Sequence, residues 1–174
     1  MDGKLIVSSS PHISSPVKTK NIMLDVIIAL IPSLAASIYF FGPRAAVITI
    51  VSVATCVIAE YICRKVMKRE QTIGDLSAVV TGILLAFNLP SSVPIYVPII
   101  GGLVAIVMVK QMFGGLGQNF VNPALLARII LMNSFPVLMT TWYPAGGFGA
   151  DTTATASPLA NIATGQLDAL PSYM

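Results

Sequence analysis

The residues best suited to chemistry lie near the C-terminal end of the sequence, in the hydroxyl-rich segment DTTATASPL at positions 151–159. Ser157 follows Ala156, precedes Pro158 and stands six residues after Asp151. A phosphoester needs an accessible hydroxyl group. Small neighbouring residues leave room for a transferase pocket, and a nearby carboxylate can help to hold the divalent metal that phosphoryl transfer requires. Ser157 is therefore a candidate for covalent modification through a phosphate, and the alternative interpretation is a plain polar loop.

A second group of candidates is the glycine-rich segment GGLGQN, which begins at Gly114. Its glycine spacing differs from that of a dinucleotide-binding loop, and the segment follows an apolar helix rather than a strand. Gly114 and Gly115 can let the backbone approach a ring or another helix closely, and the amide groups of Asn119 and Asn122 can hydrogen-bond the edge of a ring. The alternative is a tight turn in which Asn122 caps a helix that starts at Pro123.

Charged residues inside apolar segments form a third group. Arg128 lies a turn or two inside the last apolar segment, and Glu60 lies near the end of the second. Ionisable groups within a membrane are functional candidates; alternatively the two residues pair with each other, or each extends to the membrane interface. Asp25 suits a helix N-terminus. His12, the only histidine, has no second histidine or nearby cysteine, so we expect a contact with a partner protein or ligand rather than a metal site.

The composition indicates an integral membrane protein. Of the 174 residues, 55% are hydrophobic and 10% are charged, and the mean hydropathy is +0.83, whereas about a quarter of the residues of a soluble domain are charged. The net charge of +3 comes from basic residues in short loops, a distribution that argues against a nucleic-acid-binding face. Cys56 and Cys63 lack the spacing of zinc or iron–sulfur ligands and are interpreted as small buried residues.

Five apolar segments predict an all-α membrane protein with about five transmembrane helices. They cover residues 22–42, 45–63, 76–89, 95–109 and 122–142. A helix needs about 20 residues to cross the hydrocarbon core, so the third and fourth segments are short. We predict that both are tilted full crossings. The alternative is a pair of half-spans that meet near the midplane, as in transporters with broken helices.

The distribution of Lys and Arg predicts a cytoplasmic N-terminus. Basic residues stand before the first segment, after the second and after the fourth: Lys4, Lys18, Lys20, Arg64, Lys65, Lys68, Arg69 and Lys110. Only Arg44 falls on the opposite side, and residues 143–174 contain neither Lys nor Arg. The predicted organisation is a cytoplasmic arm at 1–21, a transmembrane helical domain at 22–142 and an extracytoplasmic loop at 143–174.

Several parts of the sequence, in their order and spacing, resemble one family of membrane redox proteins. They are SSSPH at 8–12 with TKNIM at 19–23, GDLSAVVTGILLA at 74–86, KQMFGGLGQN at 110–119 and NPA at 122–124. The sequence is similar to the family formed by the D subunits of Rnf electron-transport complexes, which also includes the B subunits of sodium-translocating NADH:quinone reductases. The resemblance extends over essentially all 174 residues, and it matches the N-terminal half of a typical member.

The resemblance implies that a flavin transferase attaches FMN to this chain through a phosphoester, at the segment containing Asp151 and Ala156. The family usually has Thr as the acceptor, whereas the matching position here is Ser157. Both side chains carry a hydroxyl group, so the chemistry remains available. Thr155 is an alternative acceptor because Ala154 and Thr155 imitate the last two residues of the motif, but the distance from Asp151 favours Ser157.

The resemblance further implies a second, non-covalent flavin such as riboflavin, for which Gly114, Gly115, Asn119 and Arg128 are candidate ligands. It implies a multi-pass component of the bacterial or archaeal cytoplasmic (inner) membrane that contacts lipid, the flavin transferase and other membrane and peripheral subunits, but no nucleic acid. Such a component of the Rnf complex relays electrons between reduced ferredoxin and NAD and couples them to Na⁺ or H⁺ transport. No acid–base or nucleophilic set indicates catalysis by the chain alone. The alternatives are a component like the B subunits of the quinone reductases and a channel or carrier without a redox role.

Overall fold

The computed structural model describes residues 18–69 and 71–141. Within these ranges every regular element is a helix. In chain order these are α1 (Thr19–Phe41), α2 (Pro43–Val66), a 3₁₀ turn (Ile73–Asp75), α3 (Ser77–Phe87), α4 (Tyr96–Leu103) with a π-helical segment (Val104–Gln111), α5 (Pro123–Ser134) and α6 (Pro136–Thr140). The predicted all-helical class is confirmed for the described part of the chain, whereas the loop at 143–174 lies outside it.

Two of these helices, α1 and α2, have the length and polarity of transmembrane helices. They contain 23 and 24 residues, and the mean hydropathy of an 18-residue window in each is 2.1. α1 buries none of its side chains, and Ile28, Ile31 and Phe40 are each more than half exposed. An apolar surface of this extent indicates contact with lipid or with other membrane segments rather than with water. The membrane character expected from the composition is therefore present in the structure.

The three apolar segments that follow form shorter helices. α3 has 11 residues and α5 has 12, so at about 1.5 Å per residue they extend about 16–18 Å, against about 30 Å for the hydrocarbon core. The segment predicted at 122–142 divides at Phe135, because Pro136 has no backbone N–H and begins a new helix. Full crossings by the third and fourth segments stay a prediction.

The connection between α3 and α4 is packed inside the protein. Leu89 and Val93 are buried, and the carbonyl oxygens of Ser92 and Val93 accept hydrogen bonds from Arg44 Nη2 at 3.3 and 3.2 Å. Irregular backbone at membrane depth is tolerated where it is enclosed by protein or lines a polar cavity. Arg44, predicted only as a loop charge, therefore ties this connection to the start of α2.

The packing centres on α2, which contacts α3 most extensively and also packs against α1, α4 and the π-helical segment. α3 approaches α2 closely at Gly82, where an added Cβ would lie 2.6 Å from the Cα of Val53. Beside this contact, Ser52 Oγ donates a hydrogen bond of 2.9 Å to the carbonyl oxygen of Gly82. Small residues and interhelical hydrogen bonds of this kind stabilise the association of membrane helices. They hold α3 against the middle of α2.

Candidate functional site

A buried ion pair joins α2 to the π-helical segment. Lys110 Nζ lies 2.8 Å from Glu60 Oε1, and the two side chains are 1% and 0% exposed. The same carboxylate oxygen accepts hydrogen bonds from Gln111 Nε2 at 3.1 Å and from Thr72 Oγ1 at 3.2 Å. Removing an ion from water costs several kcal/mol unless it is paired and hydrogen-bonded. Three donors on one oxygen therefore make the buried charge of Glu60 tolerable. We call Glu60, Lys110, Gln111 and the groups bonded to them the Glu60 cluster.

The π-helical segment brings Lys110 and Gln111 to this position. Its wider turn is seen where the backbone N–H of Met112 donates to the carbonyl oxygen of Val107 at 3.2 Å. The additional residue per turn changes the direction of the side chains that follow, and such turns are frequent at functional sites. Lys110 and Gln111 are each 1% exposed. The prediction that Lys110 lies in a loop is therefore wrong, because its ammonium group is paired inside the helix bundle, whereas the side of the membrane on which it lies stays a prediction.

A chain of hydrogen bonds leads from Lys110 to the start of α3. Lys110 Nζ donates to Ser77 Oγ at 2.6 Å, and Ser77 Oγ donates to Asp75 Oδ1 at 2.5 Å. Asp75 Oδ1 also accepts from the backbone N–H of Ser77 at 2.8 Å, and a carboxylate at this end of a helix is favoured by the helix dipole. Leu76, between them, has φ of 63°, which is uncommon for a side chain of its size. The ion pair and the start of α3 form one connected unit.

Two oxygen atoms of the Glu60 cluster have no hydrogen-bond donor among the described residues. They are Glu60 Oε2 and Gln111 Oε1, and both are buried. Buried polar atoms are nearly always hydrogen-bonded, and both of these atoms are acceptors, so neither can satisfy the other directly. The cluster therefore has the capacity to take a further proton or donor between α2 and the π-helical segment.

The predicted ligands Gly114, Gly115 and Asn119 lie in the loop between the π-helical segment and α5. Gly115 has φ of 107°, and an added Cβ would lie 2.7 Å from Nη2 of Arg64, so the loop packs directly against the end of α2. At Gly114, with φ of 113°, an added Cβ would collide with the side chain of Gln118. Asn119 Oδ1 is buried and has no hydrogen-bond donor among the described residues. The two glycines thus permit close packing within the protein, and Asn119 offers an acceptor to a ligand.

Asn122 caps α5, as the alternative interpretation of this segment predicted. Asn122 Oδ1 accepts hydrogen bonds from the backbone N–H groups of Ala124 at 3.0 Å and Leu125 at 3.4 Å, and Pro123 is the first residue of the helix. Its carboxamide oxygen is therefore already engaged. This distinguishes Asn122 from Asn119, whose oxygen is not.

Arg128 contacts the end of α3. Arg128 Nη1 donates to Asn88 Oδ1 at 2.8 Å, and Asn88 Nδ2 donates to the carbonyl oxygen of Leu84 at 2.8 Å. Asn88 thus satisfies a carbonyl in the last turn of α3, while the cation of Arg128 lies at the negative end of the helix dipole. The ion partner of Glu60 is Lys110, so the predicted pairing of Arg128 with Glu60 is wrong. The alternative that Glu60 extends to the membrane interface is also wrong, since its side chain is fully buried.

Sequence reasoning singled out Glu60 and missed the residues of the cluster that surround it. The missed residues are Lys110, Gln111 and Ser77, which lie far from Glu60 along the chain. One signal was available: Lys110 follows directly on the charge-free stretch at 76–109, within a helix turn of its apolar residues. A basic residue in that position can be read either as a loop charge or as the last buried residue of a helix.

The structure differs in part from the predictions for Asp25 on α1 and for the two cysteines on α2. Asp25 lies in the second turn of α1 rather than at its N-terminus, because the helix starts at Thr19 and includes the end of the predicted arm. Cys56 is buried as expected, whereas Cys63 is only partly buried. In the described ranges no group of three His, Cys, Asp or Glu residues could hold a metal ion.

The predicted flavin attachment site cannot be placed beside these groups. Asp151, Thr155, Ala156 and Ser157 lie outside the described residues, as does His12. Among the candidates that are described, Gly114, Gly115 and Asn119 share one loop. The hydrogen bond of Arg128 connects it to α3 instead.

Comparison with known proteins identifies the family. Residues 6–174 match the model of the NQR2, RnfD, RnfE family. The chain is 47% identical over 172 residues to the D subunit of the Na⁺-translocating ferredoxin:NAD⁺ oxidoreductase complex of Acetobacterium woodii, with 98% of this chain and 53% of that protein covered. It is 42% identical over 166 residues to the D subunit of the ion-translocating oxidoreductase complex of Shewanella amazonensis, with 94% and 44% covered.

A third relative differs in the ion that its name gives. The chain is 41% identical over 153 residues to the D subunit of the proton-translocating ferredoxin:NAD⁺ oxidoreductase complex of Clostridium ljungdahlii, with 88% of this chain and 46% of that protein covered. The chain thus spans about half the length of the curated relatives it matches. Because the family match extends over almost its full length, the chain belongs to the NQR2, RnfD, RnfE family.

Proposed function

We propose that this chain acts as the D-type membrane component of an ion-translocating ferredoxin:NAD⁺ oxidoreductase complex. In this role it relays electrons through FMN bound covalently at Ser157 and contributes to Na⁺ or H⁺ transport. The names of the relatives support the complex and its electron transport. The chain is an electron-carrying component and does not catalyse a reaction alone.

The observation that carries the ion-transport part of the proposal is the buried Glu60–Lys110 pair. A structural ion pair in a helix bundle is often replaceable by apolar residues with no loss of stability, so its presence favours a functional reason. Ionisable groups inside membrane helices mark ion and proton pathways. Glu60 and Lys110 are each at least 99% buried, and they lie on α2 and on the extension of α4. This pair supports an ion-coupled role for the helices that carry it.

The flavin part of the proposal rests on the sequence around Ser157 and on one feature of the described structure. FMN supplies reversible transfer of one or two electrons when it is bound, and the protein supplies position and electrostatics. Ser157 holds the phosphate, Ala156 leaves the acceptor accessible, and Asp151 helps to hold the metal ion of the transferase. For a second, non-covalent flavin, the Oδ1 atom of Asn119, which is buried and has no donor within residues 18–69 and 71–141, fits an N–H donor of a planar ring.

The topology in this proposal follows from the exposed basic residues. Lys18, Lys20, Lys65, Lys68 and Arg69 are exposed near the start of α1 and the end of α2, a bias that favours a cytoplasmic location for both regions. We propose that the chain is a multi-pass protein of the cytoplasmic (inner) membrane with residues 143–174 outside. Its partners are lipid, the flavin transferase and the other proteins of the complex.

Peptide mass spectrometry after co-expression with a flavin transferase tests the proposal. We expect one added FMN mass on the peptide that contains Ser157. Ser157→Thr should retain the flavin, Ser157→Ala should lose it, and Thr155→Ala should retain it as the matched control. Loss in Thr155→Ala together with retention in Ser157→Ala would move the acceptor to Thr155. Absence of the added mass in wild-type protein and in every variant would refute the redox proposal.

One alternative function is favoured by a specific observation. The short helices α3 and α5 and the buried connection between α3 and α4 are features of channels and carriers with broken helices. A channel or carrier without a redox role needs no flavin. The same mass spectra therefore discriminate between the two functions.

A further inference from the structure

The hydrogen bonds of the Glu60 cluster are distributed unevenly over two neighbouring functional groups. All three donors reach Oε1 of Glu60, and Oε2 receives none from the described residues. Gln111 donates through Nε2 to the same carboxyl group, while its own Oε1 is buried and has no partner among the described residues. A protonated carboxyl group and a carboxamide can form two hydrogen bonds in parallel, one in each direction. A proton on Glu60 Oε2 would therefore turn this atom into a donor, which the carboxamide oxygen of the neighbouring Gln111 side chain is able to accept.

A proton suits this position better than a metal ion. The ammonium group of Lys110 lies 2.8 Å from the same carboxylate, and it would repel a second cation strongly in a medium of low dielectric constant. Hard metal cations take about six oxygen ligands, whereas only two oxygen atoms of the cluster lack a partner among the described residues. A proton binds to a single oxygen atom and needs no shell of ligands.

We propose that Glu60 takes up a proton and exchanges it with Asp75 through Lys110 and Ser77. This inference rests on the proposed function, since the exchange would serve the ion transport of the complex. In the transfer Ser77 gives its hydroxyl proton to Asp75 and accepts one from Lys110. The neutral amine of Lys110 then takes the proton of Glu60 after the carboxyl group rotates. The net result is one proton moved from Glu60 to the Asp75 carboxylate, with Ser77 and Lys110 restored.

The groups around Glu60 are compatible with proton exchange between Glu60 and Asp75. In the part of the chain that the structure describes, two ionisable groups are connected to Glu60 by hydrogen bonds: Lys110 directly, and Asp75 through Ser77 and Lys110. Cys56, Cys63 and Arg64 lie on α2 within about one turn of Glu60. Asp75 is partly exposed at the connection of α2 to α3, so it gives the buried pair a route to the surface. A groove of about 240 Å³ beside the end of α2 is lined by apolar side chains and by Gln111.

Labelling with dicyclohexylcarbodiimide in membranes tests the protonation of Glu60. The carboxyl proton moves to a nitrogen of the reagent and the carboxylate oxygen bonds to its central carbon, so the whole reagent is added and nothing leaves. We expect an adduct on the peptide with Glu60, unchanged by NaCl replacing KCl, and none in Glu60→Gln. Absence of the adduct in wild-type protein would overturn the proposal. Protection by Na⁺ would also overturn it, in favour of a metal-ion site.

A second variant keeps the test valid if Glu60→Gln does not accumulate. Thr72→Val removes one donor to the carboxylate and so favours the protonated form; it should label severalfold faster than wild-type protein. Thr55→Val is the matched control, because its hydroxyl group donates only to the carbonyl oxygen of Val51 on the same helix. Equal labelling rates for the two variants would contradict the proposed protonation.

The path through Ser77 is tested by ferredoxin-driven proton transport in vesicles that hold the complete complex. Ser77→Ala should slow transport about tenfold, the rate change that corresponds to loss of one hydrogen bond in the path. Ser52→Ala is the control, since Ser52 is a buried serine that donates to Gly82 instead. Equal rates for the two variants would exclude the path. The carbodiimide adduct needs neither flavin nor electron flow, so a failure of the flavin proposal leaves that result unaffected.

Discussion

Replacement of Lys110 by Met should destabilise the folded protein strongly, because it leaves the carboxylate of Glu60 buried without its ion partner. Lys110 donates two short hydrogen bonds, at 2.8 Å to Glu60 and 2.6 Å to Ser77. Hydrogen bonds of charged groups contribute about 1.5–3 kcal/mol each, and breaking a buried ion pair costs about 3–5 kcal/mol. We therefore expect the free energy of unfolding to fall by about 3–5 kcal/mol.

The assay is unfolding by SDS in mixed detergent micelles, followed by circular dichroism. Lys65→Met is the matched control, because Lys65 is exposed and its ammonium group lies 5.9 Å from the ring centroid of Tyr61, a contact of about 0.5–1 kcal/mol. Adding Glu60→Gln to Lys110→Met should recover part of the loss, since no charge is then left unpaired. A loss under about 1 kcal/mol in Lys110→Met, or strict additivity in the double variant, would refute the interpretation of this pair.

Three further outcomes are expected. Gly82→Ala should lower the free energy of unfolding by about 1–3 kcal/mol, because the new methyl group would meet the α2 backbone, whereas Gly74→Ala, where nothing lies within 4 Å of an added Cβ, should cost less in the same SDS titration. Arg128→Ala should lower the yield of assembled complex on native gels more than Arg44→Ala, because Arg128 and its partner Asn88 are both partly buried, whereas Arg44 bonds two loop carbonyls from an exposed position; equal yields would contradict this ranking. A cysteine placed at Thr164 should react with an impermeant thiol reagent in intact cells, and reaction only after the membrane is broken would reverse the proposed topology.

The sequence was sufficient to predict the positions of the two long helices. The apolar segments at 22–42 and 45–63 correspond to α1 and α2 within three residues at each end. The reason is local: length, low charge and the turn at Gly42 and Pro43 determine where such helices begin and end. The cap of α5 was predictable for the same reason, since Asn122 bonds backbone groups only two and three residues away.

The shorter helices were less predictable. The segment at 122–142 reads as one span, yet Pro136 divides it, and the segment at 95–109 changes from α-helix to π-helix at Val104. Hydropathy averages over a window and does not register a change in turn width. The π-helical geometry depends on the packing against α2 and α5, which the sequence does not display.

By itself the sequence determined that the chain is an apolar helical protein of the NQR2, RnfD, RnfE family, and that Glu60 is an unusual charge within it. Only the tertiary structure decided its partner. Lys110 and Ser77 lie 50 and 17 residues from Glu60 in the chain. Lys110 reaches the carboxyl group of Glu60, and Ser77 reaches the ammonium group of Lys110, because α2, α3 and the π-helical segment pack together. Burying a charge in an apolar segment costs enough free energy to require a partner, but this cost does not identify the partner residue. That choice depends on distance and direction across helices, which arise only when the helices are packed.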